Sequence, residues 1–350
     1  MVTYPEEGLY IAGPECFYEN GYELWWAERK LAEFYGIPVV IPTSTPLKGN
    51  AEDLRDNAFE IFNDLVEKMK ATTAIIADLE FFRGSEPDGG TIFEMGWLWA
   101  KGGSLYAFSR DCRIMAAKKN NVRLSGDKVV DYDGRVLGYP DLPFCPSISA
   151  STKIIEGDFT DALKLYMVDL VEKRKHGKMS LSSPVFPERI SNRVFIATSK
   201  RYDEDYAQYR ESVRSYYKER GYEAVFPGDN LDDLSDIRDP YARAVRIFDA
   251  NMTLLLSSSS IVADLDGYHG FEPNNDVSFE CGVAFGAGLK CIAFISDGRI
   301  MRERIPHRGS SNIDWAGNTI ENFNMSANLM FGCCFNILEG DAISALSALA

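Results

Sequence analysis

The chain has 350 residues, more than one hydrophobic core usually organises, so two domains are expected. Apolar residues make up 45% and charged residues 25%, a globular balance that argues against disorder. Acidic residues number 52 against 37 Lys and Arg, a net charge of −15, which argues against a nucleic-acid or anionic-membrane surface but not against a small neutral substrate.

In chain order, a short apolar strand at 9–12 leads through a loop to an amphipathic helix at 22–34 and a second strand at 39–41. A helix at 54–70 runs into a third strand at 74–79. A polar Gly/Pro-rich loop, a helix at 91–101 and a strand at 104–108 follow. The same order then recurs: strand 194–197, helix 206–220, strand 224–226, helix 241–256, strand 261–265, helix 277–288 and strand 291–295.

The recurrence is in the letters too. AIIADL at 74–79 matches SIVADL at 260–265, and EPDGGTIFEMG at 86–96 matches EPNNDVSFECG at 272–282. Asp78 and Asp264 are 186 residues apart, as are Glu94 and Glu280. LYIAG at 9–13 matches VFIAT at 194–198 at an offset of 185. The chain is therefore a tandem duplication with drift, read as domains at 1–178 and 190–350. The Lys/Arg/Ser/Pro-rich stretch 173–189 is expected to be the linker. Strands alternating with helices imply parallel βαβ units. The expected fold is α/β: two tandem doubly wound parallel-sheet domains of the flavodoxin-like or Rossmann-like kind. In such sheets ligands bind beyond the carboxyl ends of the strands, which directs attention to the loops after strands one and three.

The first of these loops, AGPECFYENG, offers a sharp Gly-Pro turn and the flat rings of Phe17 and Tyr18, but no GxGxxG. The second, DLEFFRGSEPDGGTIFEMG, sets Asp88 and Glu94 around a Gly-Gly-Thr expected to open a helix. A carboxylate in a first helical turn is held as the anion by the helix dipole, and a positioned anion is what nucleophilic glycosyl transfer needs, with a second carboxylate to move protons. Thr91-x-x-Glu94 equally fits a capping box, which would make Glu94 a helix-end device. In the second copy Val277 replaces the Thr, yet Glu280 remains. Asp64, on the helix before strand three, is a third candidate, a solvated surface residue being the plain alternative.

Together these residues resemble the nucleoside 2-deoxyribosyltransferase family. The resemblance rests on YIAGPECF at 10–17, the run 64–100 including PDGGTIFEMG, and EGDFTDAL at 156–163. It implies a double displacement: Glu94 attacks the anomeric carbon of a deoxynucleoside, Asp88 moves the proton of the base, and Asp64 holds the sugar or orients Glu94. Tyr10 would position the nucleophile, and Gly13 and Phe17 would line the base pocket. The family also completes each site with an Asn-Leu-Met segment from a neighbouring subunit, found here as Asn328-Leu329-Met330 in the second copy. The first copy has LPFCPSIS at 142–149 instead. The second copy departs in the other half, with Asn274 for Asp88, Ala250 for Asp64 and Phe195 for Tyr10. The expectation is a fused pseudo-dimer with one composite site, substrate contacts to Asn328 and Met330, and a degenerate pocket around Glu280.

The implied role is nucleoside salvage, with a deoxynucleoside and a free nucleobase as the small-molecule partners, no cofactor and a homo-oligomer of pseudo-dimers. Hydrolysis of the N-glycosidic bond, in nucleosides or their 5′-monophosphates, is the alternative reading, and a non-catalytic nucleotide-binding protein a further one. Thr198, Ser199, Lys200 and Arg201 in the second copy are the residues suited to a phosphate. Base preference is expected to depend on 42–50 and Phe17. Residues 110–146 suggest an edge hairpin around Tyr132-Asp133-Gly134-Arg135 and a cover for the site. Seven cysteines without a CxxC pair read as reduced, mostly buried thiols. No run approaches the ~18 apolar residues of a membrane span, and the start lacks a signal pattern, so a cytoplasmic protein is expected. The three histidines (His176, His269, His307) have no metal-ligand spacing. His269 reads as a loop or surface residue without a catalytic role.

Overall fold

The computed structural model describes residues 8–42, 53–119, 122–126, 128–131, 134–176 and 184–349. The first half runs β1 (Leu9–Ala12), α1 (Gly21–Phe34), β2 (Val39–Val40), α2 (Leu54–Lys70), β3 (Ala74–Asp78), α3 (Gly89–Ala100) and β4 (Ser104–Ser109). It continues with α4 (Met115–Lys118), β5 (Arg123–Ser125), β6 (Lys128–Val130), α5 (Pro146–Ser151), β7 (Thr152–Glu156) and α6 (Phe159–His176). The second half comprises β8 (Ile190–Ala197), α7 (Tyr206–Lys218), β9 (Glu223–Val225), α8 (Pro240–Leu256), β10 (Ser258–Asp264), α9 (Asn275–Ala287) and β11 (Lys290–Ile295). It ends with α10 (Met301–Arg304), α11 (Leu329–Gly332) and β12 (Asn336–Glu339).

Each half holds a five-stranded parallel sheet, ordered β2-β1-β3-β4-β7 and β9-β8-β10-β11-β12. This is the doubly wound α/β fold, and in both sheets the order reverses between the first and third strands. The loops leaving β1 and β3 thus splay apart and open a crevice.

The two sheets share one core. α3 is buried along its whole length, and α9 over nearly all of it, because both are apolar around most of their circumference. Phe93, Trp97 and Trp99 pack with Phe248 and Phe279 between the sheets, whereas the outer face of each sheet has its own smaller core. The two central helices meet through glycine. A Cβ on Gly96 would lie 2.1 Å from the Phe279 carbonyl oxygen, and one on Gly282 would lie 2.0 Å from that of Phe93. A pseudo-two-fold axis runs close by, where Gly84 and Gly270 face each other in an antiparallel bridge. Phe271 N–H donates to Arg83 O and Ser85 N–H to His269 O, both at 3.1 Å.

Several expectations change. The fifth strands, β7 and β12, and helix α6 have no counterpart in the predicted order. Residues 173–176 continue α6, and 177–183 of the expected linker lie outside the described residues. The chain turns at Gly126, which was not expected, and again at Gly134 as expected, where Asp131 N–H donates to Arg135 O at 2.9 Å and Val130 bridges Val136. Tyr132 and Asp133 lie outside the described residues. All seven cysteines are free, two of them buried and five half-buried. His269 is neither exposed nor unpaired: it sits buried at φ 53° with Nδ1 2.7 Å from Asp131. Among the described residues no helix is long and apolar enough to cross a membrane.

Candidate active site

The C-terminal ends of β1 and β3, together with α2 and the start of α3, form the floor of a cavity of about 430 Å³. That volume suits a small ligand. Tyr10 is the second residue of β1, with its side chain toward the shared core. Its hydroxyl donates to Glu94 Oε1 at 2.7 Å. Burial pushes the Glu94 carboxyl up to about 8, against the pull of the Tyr10 hydrogen bond.

Helix α3 starts earlier than its sequence implies. Its N-cap is Asp88, whose Oδ2 accepts from Thr91 N at 2.7 Å and from Thr91 Oγ1 at 2.8 Å. Glu94 therefore lies in the second turn, and Thr91-x-x-Glu94 is not a capping box. It is also too far along the helix for the free N-terminal amides to hold it as an anion, so burial dominates. Asp88 is also raised by burial, and its Oδ1 is buried without a hydrogen-bond partner among the described residues. Two carboxyls thus face one cavity, one tied down by a phenol and the other with an oxygen unused.

The second half supplies the opposite wall. Asn328 caps α11, its Oδ1 accepting from Met330 N at 2.9 Å. Its amide lies over the backbone of Gly90, where a Cβ would stand 3.0 Å from Nδ2. A side chain at that position would crowd the amide. Met330, Ile320 and Glu321 complete the wall, with Gly13 and Phe17 on the first-half side. Glu321 is held by Leu329 N–H at 2.8 Å and pushed by burial to about 8.

The structure brings together Tyr10, Gly13, Phe17, Asp88, Glu94, Asn328 and Met330, Tyr10 through Glu94 and the rest as cavity wall. It does not bring Asp64 to the wall. That side chain is 60% exposed and pairs with Lys68 at 2.6 Å. Glu60, one turn earlier on α2, lines the cavity in its place. Of residues 42–50, only Pro42 is described, and it lines the cavity.

Sequence reasoning missed Arg83, Glu321 and Gly90. Arg83, at φ 49°, is buried against Asp314 (3.2 Å) and Glu272, with its guanidinium over the rings of Phe17 and Phe82. It also donates to Thr319 O, while Thr319 N–H donates to Phe17 O at 2.7 Å. Arg83 therefore fastens the second-half wall to the first-half loop. Nothing local marks it, because all its partners but Phe17 and Phe82 lie more than 180 residues away.

Behind Gly13 stands a group of buried acids. Burial pushes Glu15 up to about 8, Glu28 to about 9 and Asp78 to about 6, each aided or opposed by its neighbours' charges and hydrogen bonds. A carboxyl with a folded pKa above its unfolded value contributes stability below the unfolded pKa and loses it as pH rises through the folded one. The melting temperature is accordingly expected to fall from about pH 4.5, the ordinary value of these glutamates, to about pH 9. Glu28→Gln should flatten that decline and raise Tm at the alkaline end by several degrees. Calorimetric scans across this range check it, and an unchanged slope in the variant counts against the assignment.

The pseudo-equivalent site is closed to the same chemistry. Arg201 grips both oxygens of Glu280, at 2.8 and 2.6 Å, and both side chains are buried. In place of Gly90 stands Asp276, which accepts from Ser147 and Tyr202. The phosphate contacts expected of Arg201 are thereby taken up by a carboxylate.

Among the described residues no group of three His, Cys, Asp or Glu is placed to hold a metal ion. No curated protein matches the chain. Among solved structures it is similar to a 2-desoxiribosyltransferase from Leishmania mexicana. The identity is 24% and the TM-score 0.38, over 47% of this chain and 97% of that one. The family pattern described as nucleoside 2-deoxyribosyltransferase matches residues 9–141 and again 194–330. Matched in both halves, the chain belongs to the nucleoside 2-deoxyribosyltransferase family.

Proposed function

We propose that the protein moves 2-deoxyribose from one nucleobase to another by double displacement at the one composite cavity. The observation that carries this reading is the pairing of Tyr10 with Glu94 at 2.7 Å, in a cavity that also holds an unpartnered Asp88 oxygen. The Glu94 carboxylate attacks C1′, and the C1′–N bond breaks with its electron pair leaving on the base nitrogen. Asp88 donates a proton to the departing base. A second base then attacks C1′, the Glu94 ester breaks, and Asp88 takes up the proton of the incoming base. Tyr10 holds the Glu94 oxygen that does not attack. Asn328 and Met330, from the other half, would close the cavity over the sugar and exclude water. Asp64, exposed and paired with Lys68, is given no step.

The wall chemistry favours an uncharged nucleoside over its 5′-monophosphate. No Lys, Arg or His lines this cavity among the described residues, whereas Glu60, Asp88, Glu94 and Glu321 do. A phosphate dianion there would be desolvated beside carboxyls. Incubation with deoxyinosine and free adenine tests the reaction: deoxyadenosine formed is the expected product. Free hypoxanthine without it would make the protein a hydrolase, and neither product would leave a binding protein.

Tyr10→Phe removes the hydrogen bond that favours ionised Glu94. The acid limb of kcat/KM, set by the Glu94/Asp88 pair, is expected to move upward by about one pH unit, with a ~10-fold loss below it. A pH–rate profile checks this, and a lower rate with an unmoved limb would assign Tyr10 a packing role only.

A further inference from the structure

The second cavity, about 420 Å³, is nearly as large as the first although its chemistry is gone. Each half covers the other's pocket. Residues 312–330 wall the first cavity, and 128–140 wall the second, which gives the insert at 110–146 a position in the fold. The reactive groups of the second cavity are all cancelled: Phe195 lacks the hydroxyl of Tyr10, Asn274 replaces Asp88, and Arg201 occupies Glu280. The cavity has nonetheless not collapsed or filled with aliphatic side chains. Tyr139, Tyr202 and Tyr206 line it, the first two meeting edge-on at 5.9 Å. Asn251 lines it too, its Oδ1 fixed by Gly228 N–H at 2.9 Å, so the amide's other end is left as a donor.

What has changed most is the charge. Helices α2 and α8 are both 17 residues long and correspond at the repeat offset of 186. Asn57 becomes Arg243, Glu60 becomes Arg246 and Leu65 becomes Asn251. In the loop after the first strand, Glu15 becomes Lys200 and Cys16 becomes Arg201. Lys128, contributed by the first half, lines the cavity, and its ammonium has no hydrogen bond or ion pair among the described residues. Asp203 is the one acid on the wall among those residues, and Lys200 stands 3.9 Å from it. Of these substituted positions only Arg201 and Asn251 line the second cavity, and Arg201 is spent on Glu280, so among the described residues Lys128 is the cation its wall leaves available.

We propose that the second cavity is a non-catalytic site for a nucleoside phosphate, its base against the tyrosines and its phosphate toward Lys128. Aromatic faces and one amide donor suit a flat heterocycle, and an uncommitted ammonium suits a phosphate monoester. With Glu280 held by Arg201, no nucleophile is free and the ligand is bound intact. The site is independent of the exchange reaction proposed for the first cavity.

The test is calorimetric titration of the full chain with the four deoxynucleoside 5′-monophosphates, and with inorganic phosphate and 2-deoxyribose 5-phosphate as separate arms. Lys128→Glu and Leu231→Trp, the latter on the cavity wall, are compared with the unaltered protein. At least one nucleotide is expected to bind at one per chain, about 10-fold or more weaker in either variant, with base exchange unchanged in both. No binding by any of the four, equal affinity in both variants, or equal binding of inorganic phosphate would each overturn the proposal. So would nucleotide binding abolished by Asn328→Trp, which fills the first cavity.

Discussion

Glu94→Gln is expected to lower deoxyribosyl exchange by roughly 10³-fold or more and to leave the fold intact. The amide has the shape of the carboxyl, and its oxygen still accepts from Tyr10. Burial already pushes Glu94 up to about 8, so removing the ionisable group costs the folded state nothing and relieves it at alkaline pH. Intact-protein mass spectrometry after incubation with a deoxynucleoside should show one added deoxyribosyl group, absent in the variant. Glu280→Ala is the counterpart with the opposite signature. It strands Arg201 as a buried, uncompensated cation, a loss of about 3–5 kcal/mol in stability. Exchange per folded molecule should stay within about twofold, because no reacting group has changed. Equal losses of exchange from both substitutions would overturn the single-site reading.

Gly282→Val should destroy both stability and exchange, although Gly282 touches no substrate. Its Cβ would stand 2.0 Å from Phe93 O and 2.8 Å from Trp97 N, both backbone atoms of a buried helix. Neither helix can yield, since Phe93, Trp97 and Phe279 are themselves packed in the shared core. Overpacking of this kind costs ~3 kcal/mol or more, which for a chain of this size lowers Tm by roughly 6–12 °C. Exchange suffers further because Asn328 keeps its place over Gly90 only while the halves stay in register. A displacement of ~1 Å there is enough for a ~10²-fold loss. Thermal scans and assays on the soluble fraction check both parts, and full exchange in a destabilised variant would show that the halves act independently.

The element order was legible because it is written locally. Alternating apolar runs, helical periodicity and breakers fixed α2 to the residue, and the duplication located the equivalent elements in the other half. The short edge strands β7 and β12 carried too little pattern of their own. Helix starts were less legible. Asp88 and Thr91 are both good caps, and the choice of Asp88 follows from where the chain leaves β3, a tertiary fact. Asp64 was misplaced for a related reason. On α2 the face turned to the cavity carries Asn57, Glu60 and Ile61, and no local signal says which acidic residue of an amphipathic helix looks inward.

From the sequence alone came the duplication, the parallel α/β architecture, the family resemblance and the carboxyls Asp88 and Glu94. It also showed that each half lacks what the other keeps. These follow from composition, spacing and repetition along one chain. The tertiary structure decided which groups meet: Tyr10 with Glu94, Asn328 with Gly90, Arg83 with the loop carrying Phe17, and Arg201 with Glu280. Burial of those carboxyls, and hence their raised pKa values, was equally beyond the sequence. Desolvation depends on how two helices 186 residues apart close on each other, and glycine at 96 and 282 is what lets them close.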